Sequence, residues 1–239
     1  MIYAGILAGG KGTRMGKTAL PKQFLMLGEK PIIVHTIEQF MLSDKIEHVI
    51  VAVPSNWLSY MQDIKEKYFA NIDYVHVVEG GTSRNETIMN VCKFIEENYG
   101  INDEDSLITH DAVRPFVTKR IIERNIEALQ KYVAVDTVIP ATDTIVESKN
   151  DVTITDIPNR KYLYQGQTPQ SFNMRKLIDE YNSLTDEEKD ILTDACKIFS
   201  IRGKEVGIVQ GEPYNMKITN QFDYKLARFM VTGGEKFDD

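Results

Sequence analysis

The run Tyr3-Ala4-Gly5-Ile6-Leu7-Ala8-Gly9-Gly10-Lys11-Gly12-Thr13-Arg14-Met15-Gly16, followed closely by Pro21-Lys22-Gln23, decides the fold. It opens as a short unbroken apolar strand, the kind buried on both faces of a parallel sheet, and gives way to glycines and cations. Glycine lets backbone N–H groups approach an anion that any Cβ would hold off, and Arg14 and Lys22 add fixed positive charge. A strand ending in such a loop reads as the phosphate-binding edge of an α/β sheet. An ordinary glycine turn with solvated cations is the alternative. The loop is not a P-loop, which would end Gly-Lys-Ser/Thr, and no Gly-x-Gly-x-x-Gly opens a helix straight after the strand.

Outward from this stretch, His48 to Val53, Tyr74 to Val78, Leu107 to Thr109 and Val133 to Pro140 read as further strands separated by helical patterns. Such alternation predicts a Rossmann-like α/β fold, a mostly parallel sheet with helices on both faces. Pro31 suits the first position of a helix that puts Ile32, Ile33, Val34, Ile37, Phe40 and Met41 on one apolar side. Ser83-Arg84-Asn85-Glu86 has capping-box spacing and leads into Ile88, Met89, Val91, Cys92 and Ile95, with Gly100 as the stop. Glu79-Gly80-Gly81-Thr82 then becomes a second glycine loop feeding a helix N-terminus, which suits a phosphate or the polar edge of a base. Capping of a surface helix explains the same pattern. From Asp143 to Gln165 the alternation fails. Thr144 to Ser148 and Val152 to Ile154 flank the polar turn Lys149-Asn150-Asp151, which predicts a protruding β-arm over 143–165, either packed on another surface or mobile.

The 239 residues, 42% hydrophobic and 26% charged, suit one domain over 1–239 with this arm as an appendage. A net charge of -7 argues against a nucleic-acid partner, so cations that serve phosphates must be gathered at a site. Cys92 and Cys196 lie far apart with no Cys-x-x-Cys pair, which favours reduced, buried thiols over a disulfide or a zinc cluster. The apolar run Ile2 to Ala8 is too short for a signal peptide or a membrane span, so a cytoplasmic protein with no membrane partner is expected. The acidic end Glu235 to Asp239 reads as a frayed tail.

His110-Asp111-Ala112-Val113-Arg114-Pro115 follows the strand Leu107 to Thr109 and puts Asp111 at the sheet edge that carries the glycine loops. A carboxylate there can hold Mg²⁺ against triphosphate oxygens, because magnesium prefers one or two carboxylates with phosphate and water. Pairing with Arg114, or capping of a helix near Thr118, would explain Asp111 structurally. His110, without a partner, reads as a packed residue. Arg160, in Pro158-Asn159-Arg160, and Lys217, in Asn215-Met216-Lys217-Ile218-Thr219, are solvated charges if taken singly. Taken together they suit a clamp for a phosphorylated second substrate.

With Gly80-Gly81 and Arg84 in second place and Thr168-Pro169-Gln170 before the last motif, this ordered set resembles the nucleotidyltransferases that charge sugar and polyol phosphates. Within them it is most similar to the cytidylyltransferases acting on methylerythritol phosphate and on ribitol 5-phosphate. The resemblance runs from Tyr3 to about Ala227. It implies that Arg14 and Lys22 stabilise the transition state at the α-phosphate of CTP, and that Arg160 and Lys217 position the attacking phosphate. It implies that Leu7, Ala8, Gly9 and Gly10, with Gly81, Thr82, Ser83, Arg84, Asn85, Glu86 and Thr87, hold CTP, and that Asp111 binds Mg²⁺. It further implies a homodimer completed by the arm, with Arg160 serving the neighbouring subunit's site. Tyr3 to Gly10, Leu20 to Leu25 and Tyr164 to Phe172 match the ribitol-phosphate members more closely, whose product resembles the activated precursor of wall teichoic acid in Gram-positive bacteria. Such a transfer needs charge dispersal and no protein nucleophile, in keeping with four cations, one carboxylate and no Ser-His-Asp set. Two rivals remain: a nucleotide-binding module without turnover, against which the intact charged set speaks, and a dinucleotide-dependent dehydrogenase, whose fingerprint is missing.

Overall fold

The computed structural model describes residues 1–10 and 20–233. Its centre is β1 (Ile2–Leu7), flanked in parallel by β4 (His48–Val53) and β6 (Ser106–Asp111), with β5 (Val75–Glu79) parallel outside β4. On the other side β8 (Tyr164–Asn173) runs antiparallel between β6 and β7 (Ala134–Pro140), and β9 (Gly207–Gln210) closes that edge parallel to β7. The order β5-β4-β1-β6-β8-β7-β9 gives one seven-stranded sheet; a small hairpin, β2 (Met26–Leu27) with β3 (Lys30–Pro31), stands apart. The Rossmann-like, mostly parallel α/β sheet is therefore the observed architecture.

Alternate residues of the central strands feed two cores, as the two-residue period of a strand requires. Ala4, Ile6, Val49, Val51 and Ile108 pack with α1 (Ile32–Met41), α2 (Leu58–Phe69) and α4 (Lys119–Ala128) on one face. Tyr3, Leu7, Ile50, Ala52 and Leu107 pack with α3 (Arg84–Tyr99), α5 (Met174–Asn182) and α7 (Lys197–Ser200) on the other. Each fully buried Ile, Val, Leu or Phe contributes about 1.5–3 kcal/mol, so the sheet is clamped from both sides and its edges are rigid platforms. The short α6 (Asp186–Asp190) links α5 to α7. The last helix, α8 (Gln221–Thr232), joins a third cluster of Leu27, Ile32, Val113, Ile218 and Ala227 that seats the 211–220 loop beside the end of β6.

Three local readings shift. Pro31 stands one residue before α1, because its ψ of 149° keeps it extended and paired with Met26. Tyr164–Asn173 is a full strand of the sheet, which the apolar runs read as strands did not include. The expected hairpin over 143–165 is reduced to one bridge, Glu147 with Asp156, inside an excursion pinched off by Ala141 N–H donating to Leu163 O (3.0 Å). At its tip Asn150 Oδ1 accepts from the N–H groups of Val152 (3.1 Å) and Thr153 (2.9 Å), while Asp151 takes φ 59°. That side-chain turn draws Val152 and Thr153 out of the second expected strand. Cys92 and Cys196 are free and buried, as expected. The tail Glu235 to Asp239 lies outside the described residues.

Candidate active site

Register places the ends of three strands side by side: Leu7 lies level with Ala52 on one side and Asp111 on the other. A cleft of about 370 Å³ opens above them, lined by Leu7 to Gly10, Lys22, Gln23, Gly81 to Arg84, Thr87, Asp111 to Val113, Lys217 and Thr219. The start of the first glycine loop is held at Ala8, whose N–H donates to Ala52 O (2.8 Å) and whose carbonyl accepts from Gln23 Nε2 (2.7 Å). Lys22 is buried in the wall, and a Cβ on Gly10 would lie 3.8 Å from its Cε.

The second loop owes its shape to the start of α3. Ser83 accepts from Glu86 N–H, and the Glu86 carboxylate accepts in return from Ser83 N–H (3.3 Å), Thr82 N–H (2.8 Å) and the Thr82 hydroxyl. The Thr82 hydroxyl, first among these contacts, holds the Glu86 carboxyl below its usual range. Gly81 N–H donates to Thr87 Oγ1 (3.0 Å), and a Cβ on Gly81 would stand 2.3 Å from Glu86 Cβ and 2.9 Å from Thr87 N, so only glycine fits there. Capping and loop formation are thus one structure: the box that starts the helix folds the loop against the cleft.

Asp111 is the electrostatic centre. Its Oδ1 is paired with Arg84 Nη1, and its Oδ2 lies 2.8 Å from Lys217 Nζ and 3.7 Å from Arg114 Nε. Burial alone would raise the Asp111 carboxyl, but the charges of Arg84, Lys217 and Arg114 outweigh it and hold the group well below the carboxylate range. Three cations around one carboxylate leave a surplus of positive charge at the cleft floor, which suits a polyanionic ligand. The pairing with Arg114 weighed from the sequence is real but is one of three. The helix near Thr118 is capped by Thr118 itself, which accepts from Ile121 N–H (3.4 Å).

Lys217 is delivered by a braced loop. Asn215 Nδ2 donates to Gln167 Oε1 (3.1 Å) and Thr168 O (2.8 Å), Arg114 Nη1 donates to Asn215 O (2.8 Å), and Ile218 N–H donates to Val113 O (2.9 Å). His110 sits beneath, fully buried. Arg114 O only accepts, so His110 Nε2 carries the proton toward it (3.1 Å) and Nδ1 accepts from the Thr168 hydroxyl (2.8 Å), which in turn accepts from Asp111 N–H (3.2 Å). Burial lowers the imidazole to about 3, so it stays neutral and braces the turn that presents Asp111.

The structure therefore brings Leu7, Ala8, Gly9, Gly10, Lys22, Gly81, Thr82, Ser83, Arg84, Thr87, Asp111 and Lys217 to one cleft. Asn85 is buried behind it, and Glu86 serves the loop's own backbone. Arg14 lies outside the described residues. Arg160 is exposed at the root of the arm, donating to Thr142 O (2.5 Å), and does not line this cleft. Sequence reasoning missed Gln23, Asn215 and Gln170. Of these, Gln23 is the neighbour of Lys22, whereas Gln170 acts through the pairing of β8 with β7 and Asn215 through hydrogen bonds from its loop to the distant Gln167, Thr168 and Arg114.

The sequence matches, over residues 2–233, the family described as IspD: 2-C-methyl-D-erythritol 4-phosphate cytidylyltransferase. The chain belongs to this cytidylyltransferase family. It is 54% identical over 231 residues to the ribitol-5-phosphate cytidylyltransferase of Lactiplantibacillus plantarum, covering 97% of this chain and 98% of that one. Its fold is similar to the 4-diphosphocytidyl-2C-methyl-D-erythritol synthase of Anaerococcus prevotii, with TM-score 0.78, 26% identity, and 97% and 98% of the two chains covered. It also matches the 2-C-methyl-D-erythritol 4-phosphate cytidylyltransferase of Francisella tularensis in fold, with TM-score 0.79, 23% identity, and 96% and 99% covered. As a member of this family the chain is a nucleotidyltransferase. No helix among the described residues is long and apolar enough to cross a membrane.

Proposed function

We propose that the protein transfers the cytidylyl group of CTP to D-ribitol 5-phosphate, giving CDP-ribitol and pyrophosphate. One observation carries the reading: more than half the residues are identical, over nearly the whole of both chains, to a ribitol-5-phosphate cytidylyltransferase. The cation-surrounded Asp111 in the cleft supports the chemistry. A phosphate oxygen of the polyol phosphate forms a bond to the α-phosphorus of CTP, and the bond from that phosphorus to the bridging oxygen of the leaving pyrophosphate breaks in line. Arg14 and Lys22 disperse the charge that builds on the α-phosphate, and the loops at Leu7 to Gly10 and Gly81 to Thr87 hold the nucleotide. Lys217, in place beside Asp111, receives the attacking phosphate.

Asp111 offers the hard carboxylate oxygen that magnesium prefers, and its ionised state fits the ion once triphosphate oxygens complete the shell. When bound, the ion neutralises charge on those oxygens. Arg160 stands outside the cleft on an arm that exposes Val152, Ile154 and Ile157, which supports a homodimer in which the arm packs on the partner and Arg160 joins the partner's site. The enzyme works in the cytoplasm, and its product suits assembly of a ribitol-phosphate wall polymer. The test is pyrophosphate release from CTP and Mg²⁺ with D-ribitol 5-phosphate and 2-C-methyl-D-erythritol 4-phosphate in parallel. Turnover with ribitol 5-phosphate is expected; turnover with methylerythritol phosphate alone would move the protein to the other branch of its family.

A further inference from the structure

Behind the cleft, on the α3 face of the sheet, lies a polar cluster that the transfer as described leaves without a role. Gln170 on β8 stands level with Thr109 of β6 and Asp136 of β7 and is fully buried. Its Nε2 donates to Asp136 Oδ1 (3.1 Å) and to Asp194 Oδ2 (2.6 Å), and its Oε1 accepts from Arg84 Nη2 (3.3 Å). An amide has two N–H donors and one acceptor oxygen, and here every partner matches. Turning it over would set its oxygen against two carboxylates and its N–H groups against a guanidinium, so the orientation is locked. Asp194 is fixed in turn by accepting from Cys196 N–H (2.8 Å) at the start of α7. Arg84, held on one side by this amide, meets Asp111 with its other terminal nitrogen.

Neither Gln170, Asp136 nor Asp194 lines the cleft, whereas Arg84 does. We infer that Gln170, locked by Asp136 and Asp194, is a positioning residue for the transfer, fixing the plane of the Arg84 guanidinium so that it can hold Asp111 and meet the nucleotide. A freely rotating arginine would lose rotamer entropy at each binding event, and a braced one does not. The Asp136 carboxyl, pushed up to about 7 by burial and by the charge of Asp194, fits a pair that carries less than its full negative charge and so leaves Arg84 to Asp111. The inference rests on the proposed cytidylyl transfer for its kinetic readout but not for its binding readout.

The experiment compares wild type with Gln170→Met, Gln170→Glu and the double variant Gln170→Glu with Asp136→Asn. CTP binding is measured by calorimetry and both substrates' KM values by pyrophosphate release. A misplaced functional group costs on the order of 10²-fold, so Gln170→Met is expected to lower kcat/KM for CTP by about that factor and leave the KM for the polyol phosphate unchanged. Gln170→Glu crowds three carboxylates together and should weaken CTP binding. Adding Asp136→Asn restores a donor opposite the new carboxylate, which can again accept from Arg84, and should recover most of the affinity. A folded Gln170→Met with wild-type kcat/KM for CTP would overturn the inference, as would a double variant no better than Gln170→Glu alone. If Gln170→Met does not fold, the comparison of the two glutamate variants decides. Absence of turnover in the wild type would sink the proposed transfer, while calorimetry would still judge the relay.

Discussion

Lys22 is buried in the wall of the cleft beside Gly10, and the proposed transfer gives it the charge on the α-phosphate to disperse. Removing one preorganised donor to developing charge costs about 10² to 10³-fold in rate, so Lys22→Ala should lower kcat by at least that much while the protein still folds. Steady-state kinetics beside a thermal melt would check it, and near-normal kcat would remove Lys22 from the chemistry. Gly81→Ala acts differently, because its Cβ meets the backbone of the first turn of α3. Overpacking of this kind costs about 1–3 kcal/mol, so the variant should melt lower and bind CTP more weakly, as calorimetry would report. His110 gives a pH signature. Its folded value of about 3 lies below the unfolded 6.5, so its share of stability is present above 6.5 and is lost as pH falls from there toward 3. The melting-temperature gap between wild type and His110→Gln should therefore be widest at about pH 7 and narrow by about pH 4; a constant gap would contradict the assignment of a neutral imidazole. Much of this was legible at the residue scale. The capping spacing of Ser83 and Glu86 located the second loop, and the strand before His110 located Asp111. Arg84's brace was not legible, because Gln170 and Asp136 meet only through the pairing of β8 with β7.

Strands β1, β4, β5, β6 and β7 were readable because each is an apolar run between loops. Strand β8 was not, and the reason is physical: Gln165-Gly166-Gln167-Thr168-Pro169-Gln170 carries polar side chains where a buried strand normally carries apolar ones. Those side chains are satisfied by partners distant in sequence, Gln167 by Glu212 and Asn215, Thr168 by His110, and Gln170 by Asp136, Asp194 and Arg84. The strand is held by this network, and the same network positions the site. The arm was legible as a departure from alternation but not in its detail, since the Asn150 turn outcompetes strand pairing at the tip. Its exposed Val152 and Ile154 lead to a prediction at this scale. In the proposed homodimer, Val152→Asp with Ile154→Asp should shift sedimentation from dimer toward monomer and lower activity per chain, because the arm that carries Arg160 to the partner's site would no longer pack. A double variant that sediments and turns over like the wild type would dismiss the arm as an interface.

For the whole molecule, a rigid two-sided sheet presents one edge at which the glycine loops, Asp111 and the braced Lys217 converge. The choice of polyol phosphate rests on similarity to a ribitol-phosphate enzyme across almost the entire chain. No pattern of spacing in the sequence distinguishes one polyol from another, because both acceptors carry a phosphate and several hydroxyls. Cytidylyl transfer differs from hydrolysis and from silent binding in what becomes of the ribitol 5-phosphate. Phosphorus NMR of a reaction containing CTP, Mg²⁺ and D-ribitol 5-phosphate separates the three. CDP-ribitol and pyrophosphate are expected to appear in equal amounts as CTP and ribitol 5-phosphate disappear together. CMP and pyrophosphate with ribitol 5-phosphate left intact, or CTP bound and unchanged, would contradict the proposed transfer.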